Sequence, residues 1–202
     1  MPLTKYNNNS ISNITALPSA IPTGKLKFIS SQTASNSASI SFTSGLTSTY
    51  KIYRFVFSNI HPRTDNVEFQ FNLSTDSGSN YNVTKTTTFF YAYHNEADTD
   101  TAFGYDSSND LAQSTAYQII ANNIGNVSDE SLSGDLSLFN PSSTTYVKHF
   151  ICNSTYTHQN DAQVQRKLAG YGNTTSAINA IRFQMSSGNF DGTIYLYAID
   201  NS

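Results

Sequence analysis

The residues best equipped for chemistry fall in a few short stretches. His61 to Asp65, HPRTD, gathers an imidazole, a guanidinium and a carboxylate within one loop. A His oriented by an Asp is part of a hydrolase triad, but no Ser sits in a G-x-S-x-G elbow to serve as nucleophile. A rigid turn is the favoured reading, with Pro62 fixing the backbone and Arg63 or Asp65 making local hydrogen bonds. His149 and Cys152 have the H-x-x-C spacing of a metal pair. On a regular strand, however, Cys152 shares a face with Lys148 and Phe150, and His149 points the other way with Val147 and Ile151, so the two cannot hold one ion. Glu96, Asp98 and Asp100 in HNEADTDTAFG form the densest acidic cluster. The D-x-D spacing suits calcium, yet Ala102 occupies the next ligand position and a distal Glu is missing, so a solvated loop is expected. Gly170 to Asn173, GYGN, is followed by no helix that could offer its N-terminus to a phosphate, and reads as a turn. Paired carboxylates for glycoside hydrolysis are not evident either, since most acidic residues fall in apparent loops and Glu68 stands alone on a strand. The expectation is a non-enzymatic chain with no catalytic, cofactor-binding or metal-ligating residue and no cofactor.

The aromatic residues carry more information. The chain has 13 Phe, 13 Tyr and no Trp. Tyr91 and Tyr93 share one strand face, opposite Phe90 and Ala92, and Tyr195 and Tyr197 share another. Core packing is the default use of such rings, but Tyr-rich faces also stack on sugars or fill subunit interfaces, because the ring is apolar and the hydroxyl tolerates water.

The elements that would position these residues have period two. Val67, Phe69, Phe71 and Leu73 alternate with Glu68, Gln70, Asn72 and Ser74, the signature of a strand with one buried face. Tyr53, Phe55 and Phe57 alternate likewise, joined to the first run by HPRTDN in a hairpin or a sandwich corner. Further strands are expected at 26–33, 38–43, 85–93, 116–121, 131–139, 144–152, 164–169, 177–185 and 193–199. Asp110 to Ala121 is the only plausible short helix, with Asp110 as its N-cap. Many short strands with turn signals between them predict an all-β, antiparallel, jelly-roll-like β-sandwich over residues 25–202. INAIRFQMSSGNFDGTIYLYAI, 178–199, becomes its closing hairpin, with Ile181, Phe183 and Met185 on one side; apolar residues on both faces suggest a central strand or one covered by a neighbouring subunit. Residues 1–24 contain three of the five prolines and no sustained period, and are expected to form an extended N-terminal anchoring arm.

Charged residues are 12% of the chain, with a formal net charge of -3. That balance, without a Lys/Arg cluster, argues against nucleic acid as partner. No stretch approaches the roughly 20 apolar residues that span a bilayer and no apolar signal segment opens the chain, so no membrane insertion and synthesis in a cytoplasm are expected. The single Cys152 excludes an intrachain disulfide framework. Asn-x-Ser/Thr sequons at Asn8, Asn13, Asn72, Asn82, Asn126, Asn153 and Asn173 are read as a by-product of Asn, Ser and Thr richness.

Beyond these patterns, SSQTASNSASISFTSGLTSTYKIYRFVFSNIHPRTDNVEFQF, 30–71, is similar to a module of structural proteins of marine bacteriophages, in which an SISFTSGL turn and a NIHP-x-TD loop precede a strictly alternating strand. The segment 178–199 resembles the closing part of the same module, and the opening MPLTKYNNNSISNI resembles the anchoring segment of phage fibre and decoration proteins. The resemblance implies a virion surface protein made in the host cytoplasm, and a homotrimer. It implies a capsid decoration or cement subunit bound to the major capsid protein or to tail proteins through residues 1–24. The alternative is a tail-fibre or receptor-binding module that recognises host cell-surface carbohydrate.

Overall fold

The computed structural model describes residues 26–199. The expected arm at 1–24 lies outside the described residues. The described chain is all-β and antiparallel: β1 (Leu26–Ser37), β2 (Ser39–Phe42), β3 (Ile52–Pro62), β4 (Val67–Ser74), β5 (Lys85–Asn95), β6 (Thr101–Tyr105), β7 (Gln118–Ile124), β8 (Leu132–Phe139), β9 (Lys148–His158), β10 (Ala162–Gly172), β11 (Ala180–Met185) and β12 (Phe190–Ile199). β1, β12, β3, β8, β9, β10, β5 and β6 pair side by side, and β7, β4, β11 and β2 form a second, shorter layer. A single pair, Ile124 with His158, joins the layers between β7 and β9.

The two layers face one another through aromatic rings, as period-two alternation requires. Phe55 and Phe57 of β3 meet Phe183 of β11 at centroid distances of 5.5 and 5.2 Å. Phe57 also meets Phe69 of β4 at 5.4 Å, edge to face. All of these rings are buried, along with Leu136, Leu138, Ile194 and Leu196 from the long sheet. The antiparallel β-sandwich is as the alternation predicts.

One connection departs from expectation and a second is decided between two alternatives. The segment 178–199 is no hairpin: β11 pairs with β2 and β4, and β12 with β1 and β3. The SSGN turn is a corner that carries the chain from the short layer to the long one. HPRTDN is its counterpart, taking the chain from β3 in the long layer to β4 in the short one, which selects the corner over the hairpin. The two corners lock together. The Arg63 backbone N–H donates to Asn189 O at 2.9 Å, and the Arg63 guanidinium pairs with Asp191 at 2.8 Å. Gly188 sits at φ +71 with Thr64 Oγ1 so close that a Cβ would lie 2.1 Å from it. Asn66 has φ 57, a left-handed backbone that Asn tolerates better than other side chains. Asn36, Asn59, Asn123 and Asn140 also take positive φ, so part of the Asn richness reflects turn geometry.

Three further corrections concern local structure. Among the described residues there is no helix; Gln113 has φ 48, and the Asp110 carboxylate accepts from the Tyr105 hydroxyl instead of capping a first turn. Glu96, Asp98 and Asp100 lie in an exposed loop as expected, but the residues after them form strand β6: TAFGY pairs with β5 from Phe90–Tyr105 to His94–Thr101. GYGN is no turn, since Gly170 to Gly172 end β10 between Thr87–Lys85 of β5 and Phe150–Lys148 of β9. Glycine stands there because a Cβ on Gly170 would lie 2.6 Å from Thr86 O and 2.9 Å from the Phe150 ring. Gly170→Ala is expected to destabilise the protein by about 1–3 kcal/mol through overpacking, read as a lowered urea midpoint with unchanged slope.

Candidate functional site

The inner face of the long sheet outruns the short layer near β7, and a pocket of about 550 Å3 opens there. Alternation places its wall. On β5, Tyr91 and Tyr93 follow buried Phe89 on one face; on β10, Val164 and Arg166 share the face of buried Leu168. Register sets Arg166 opposite Tyr91 and Val164 opposite Tyr93. The Tyr91 and Tyr93 rings lie nearly parallel, 17° apart with centroids at 6.2 Å. Half-buried, both rings line the pocket.

Arg166 organises the pocket floor. Its side chain is buried and each of its three nitrogens donates: Nη1 to Asp106 Oδ2 at 2.6 Å, Nε to the Tyr156 hydroxyl at 3.0 Å, and Nη2 to Asn122 Oδ1. The Tyr156 hydroxyl in turn donates to Asn122 Oδ1 at 3.0 Å. The flat cation also lies over Phe89, 4.7 Å from the centroid, and 5.6 Å from that of Tyr91, where the ring quadrupoles favour it. Asp106 accepts from Asn109 Nδ2 at 2.8 Å as well. Burial raises the Asp106 pKa, but hydrogen bonds from Arg166 and Asn109 outweigh it and leave the carboxyl below its ordinary value. Burial likewise pushes the His158 imidazole down, with the nearby Arg166 charge adding to the effect. Burial pushes the Tyr156 phenol up. The Tyr93 hydroxyl donates to Asp100 Oδ2 at 2.7 Å, which fixes the outer ring. Ser107, Ser108, Asn123 and Asn160 complete the rim.

The stretches singled out in the sequence are not brought together. His61 Nε2 lies 3.0 Å from Val127 O, Arg63 pairs with Asp191, and Asp65 is exposed; the loop holds no His–Asp contact. His149 is exposed and Cys152 buried on the opposite face, as alternation dictates, and burial pushes the Cys152 thiol well up. Asp98 contacts His94 at 3.0 Å and Asp100 holds Tyr93, so the acidic cluster is divided among separate partners. No group of three His, Cys, Asp or Glu among the described residues could hold a metal. Tyr195 and Tyr197 lie on the outer face, where Phe28 packs edge-on against Tyr197 at 5.6 Å. Of the sequons, Asn72 is fully buried, closed to any modifying enzyme.

Tyr91 and Tyr93 are legible in the sequence as a shared face, but the parts of Arg166, Asp106 and Asn122 are not anticipated there. A signal for Arg166 exists: in VQRKL it falls on the apolar side of an alternating strand, and a cation there needs a buried partner. Nothing in the sequence marks Asp106 as that partner.

No protein-family model matches the chain, and neither curated proteins nor solved structures give a significant match. The pocket therefore stands on its own chemistry. A stacked aromatic step beside amide, hydroxyl and carboxylate groups suits a ligand with flat apolar faces and a hydroxyl rim. Arg166 is paired with Asp106 and Asp100 also lines the pocket, so the charge balance there disfavours an anionic ligand.

Proposed function

We propose that the chain is a non-enzymatic surface protein of a phage particle whose sandwich recognises host cell-surface carbohydrate through the pocket of Tyr91, Tyr93 and Arg166. The parallel Tyr91–Tyr93 step carries this reading, since sugar rings present C–H faces that stack on aromatics while their hydroxyls meet the polar rim. The fixed Arg166–Asp106–Asn122 floor supplies preorganisation, which lowers the entropy cost of binding. The full-length protein is expected to retain neutral host polysaccharide on a surface-plasmon chip. Tyr91→Ala and Tyr93→Ala should each weaken retention at least about tenfold, roughly 1.4 kcal/mol. Unaltered retention in both variants would defeat this reading.

A second reading, a decoration or cement subunit packed as a homotrimer and seated on the major capsid protein through residues 1–24, is favoured by one observation. Leu26 and Phe28, which begin the edge strand directly after that segment, are 52% and 54% exposed, an apolar row suited to covering by another subunit. Immunogold labelling of intact particles separates the two: label over the head supports the cement role, and label confined to the tail supports receptor recognition.

A further inference from the structure

We propose that Lys85 and Asn72 join in an intramolecular isopeptide bond that ties β5 of the long sheet to β4 of the short one. Both side chains are fully buried. Lys85 Nζ donates to Asn72 Oδ1 at 2.6 Å and to Val83 O at 2.8 Å, and no carboxylate among the described residues pairs with it. A buried cation without a counter-charge is disfavoured, and burial brings this amine down to about 7, so its nucleophilic neutral form is well populated near neutral pH.

The carboxamide is equally constrained. Asn72 Oδ1 accepts from the Leu73 N–H at 2.9 Å, and Nδ2 donates to Tyr81 O at 2.6 Å and Thr115 O at 3.0 Å. The amine is thereby held against one fixed carbonyl group, an intramolecular arrangement of the kind that converts proximity into rate. In the reaction, the Nζ lone pair attacks Asn72 Cγ, and the Leu73 N–H stabilises the negative charge growing on Oδ1. A proton passes from Nζ to Nδ2, the old C–N bond breaks, and ammonia leaves. One C–N bond forms and one breaks, with no change of oxidation state and no co-reactant. The result is a covalent tie between layers in a chain whose single Cys152 excludes an intrachain disulfide.

The test is the intact mass of the full chain, with peptide mapping after incubation at pH 8. The expected result is a mass lower than the sequence mass by one ammonia and a branched peptide joining residues 72 and 85, both absent from Lys85→Met and Asn72→Ser. Should those variants fail to fold, the branched peptide in the wild type decides alone. A full sequence mass would overturn the proposal, as would loss of ammonia without branching, which is what a succinimide at Asn72 gives. Stability against pH supplies a second readout. A free amine with folded pKa about 7, against an ordinary 10.5, binds more protons in the unfolded chain, so stability would rise as pH climbs from 7 to 10.5. An amide does not titrate. The wild type is expected to show no such Lys85-dependent rise, and finding one would overturn the proposal.

Discussion

Arg166→Met is expected to lower the unfolding free energy by about 2–4 kcal/mol, because it leaves the half-buried Asp106 carboxylate without its counter-charge. The side chains of Arg166 and Asp106 are only 8% and 13% exposed, so water cannot substitute well for the lost guanidinium. Met fills much of the same volume, which confines the effect to polar groups: Asp106, the Tyr156 hydroxyl and Asn122 all lose a partner at once. The pH dependence separates charge from packing. In the wild type, Asp106 has a folded pKa below its ordinary 3.8, so its contribution is present above that value and is lost as pH falls through the folded one. The gap between wild type and variant should therefore narrow in acid, whereas a packing defect would persist at every pH. Denaturant titrations of both proteins near pH 7 and near pH 3 measure this. Retention of neutral polysaccharide should also fall, because the floor beneath Tyr91 loosens.

Where the sequence is informative follows from what alternation encodes. Period two states which side chains share a face: Val67, Phe69, Phe71 and Leu73 are buried together, and so are Tyr53, Phe55 and Phe57, but Asn72 and Ser74 on the expected wet face are buried as well, because other segments cover that end of β4. It does not state which strand lies beside which. A turn such as SSGN is compatible with a hairpin or with a corner between layers, and the choice is made by contacts distant in sequence, here Arg63 with Asp191 and Thr64 against Gly188. The same limit hides the site. Tyr91 and Tyr93 mark a face, but the partner that gives Arg166 its place lies 60 residues away in a loop with no local signature. Lys148 gives a similar signal in the sequence, a cation on the face of Phe150 and Cys152. Fully buried, it donates to Thr174 O at 3.2 Å, and burial lowers its pKa. Cations on apolar strand faces are thus the most informative local signal of where polar networks are buried.

Phe183→Ala is the second large effect, and its cause is wholly different. Phe183 is the ring through which the two layers interlock: it meets Phe55 and Phe57 across the interface and Phe69 and Phe71 alongside, at 6.0 and 6.3 Å. Its removal forfeits the transfer free energy of a buried phenyl and leaves a cavity that four neighbouring rings, fixed on rigid strands, cannot close, for a loss of about 3–5 kcal/mol. Against a typical total of about 5–15 kcal/mol, that is enough to bring the sandwich near its threshold. The deficit should be independent of pH, unlike that of Arg166→Met, since no titratable group changes its surroundings. Phe103→Ala provides the control: the ring is 81% exposed on edge strand β6, and its loss should stay within about 0.5 kcal/mol. A small effect at Phe183 would mean that the layers are held by something other than the aromatic interface, and the covalent tie between Asn72 and Lys85 would then be the first place to look.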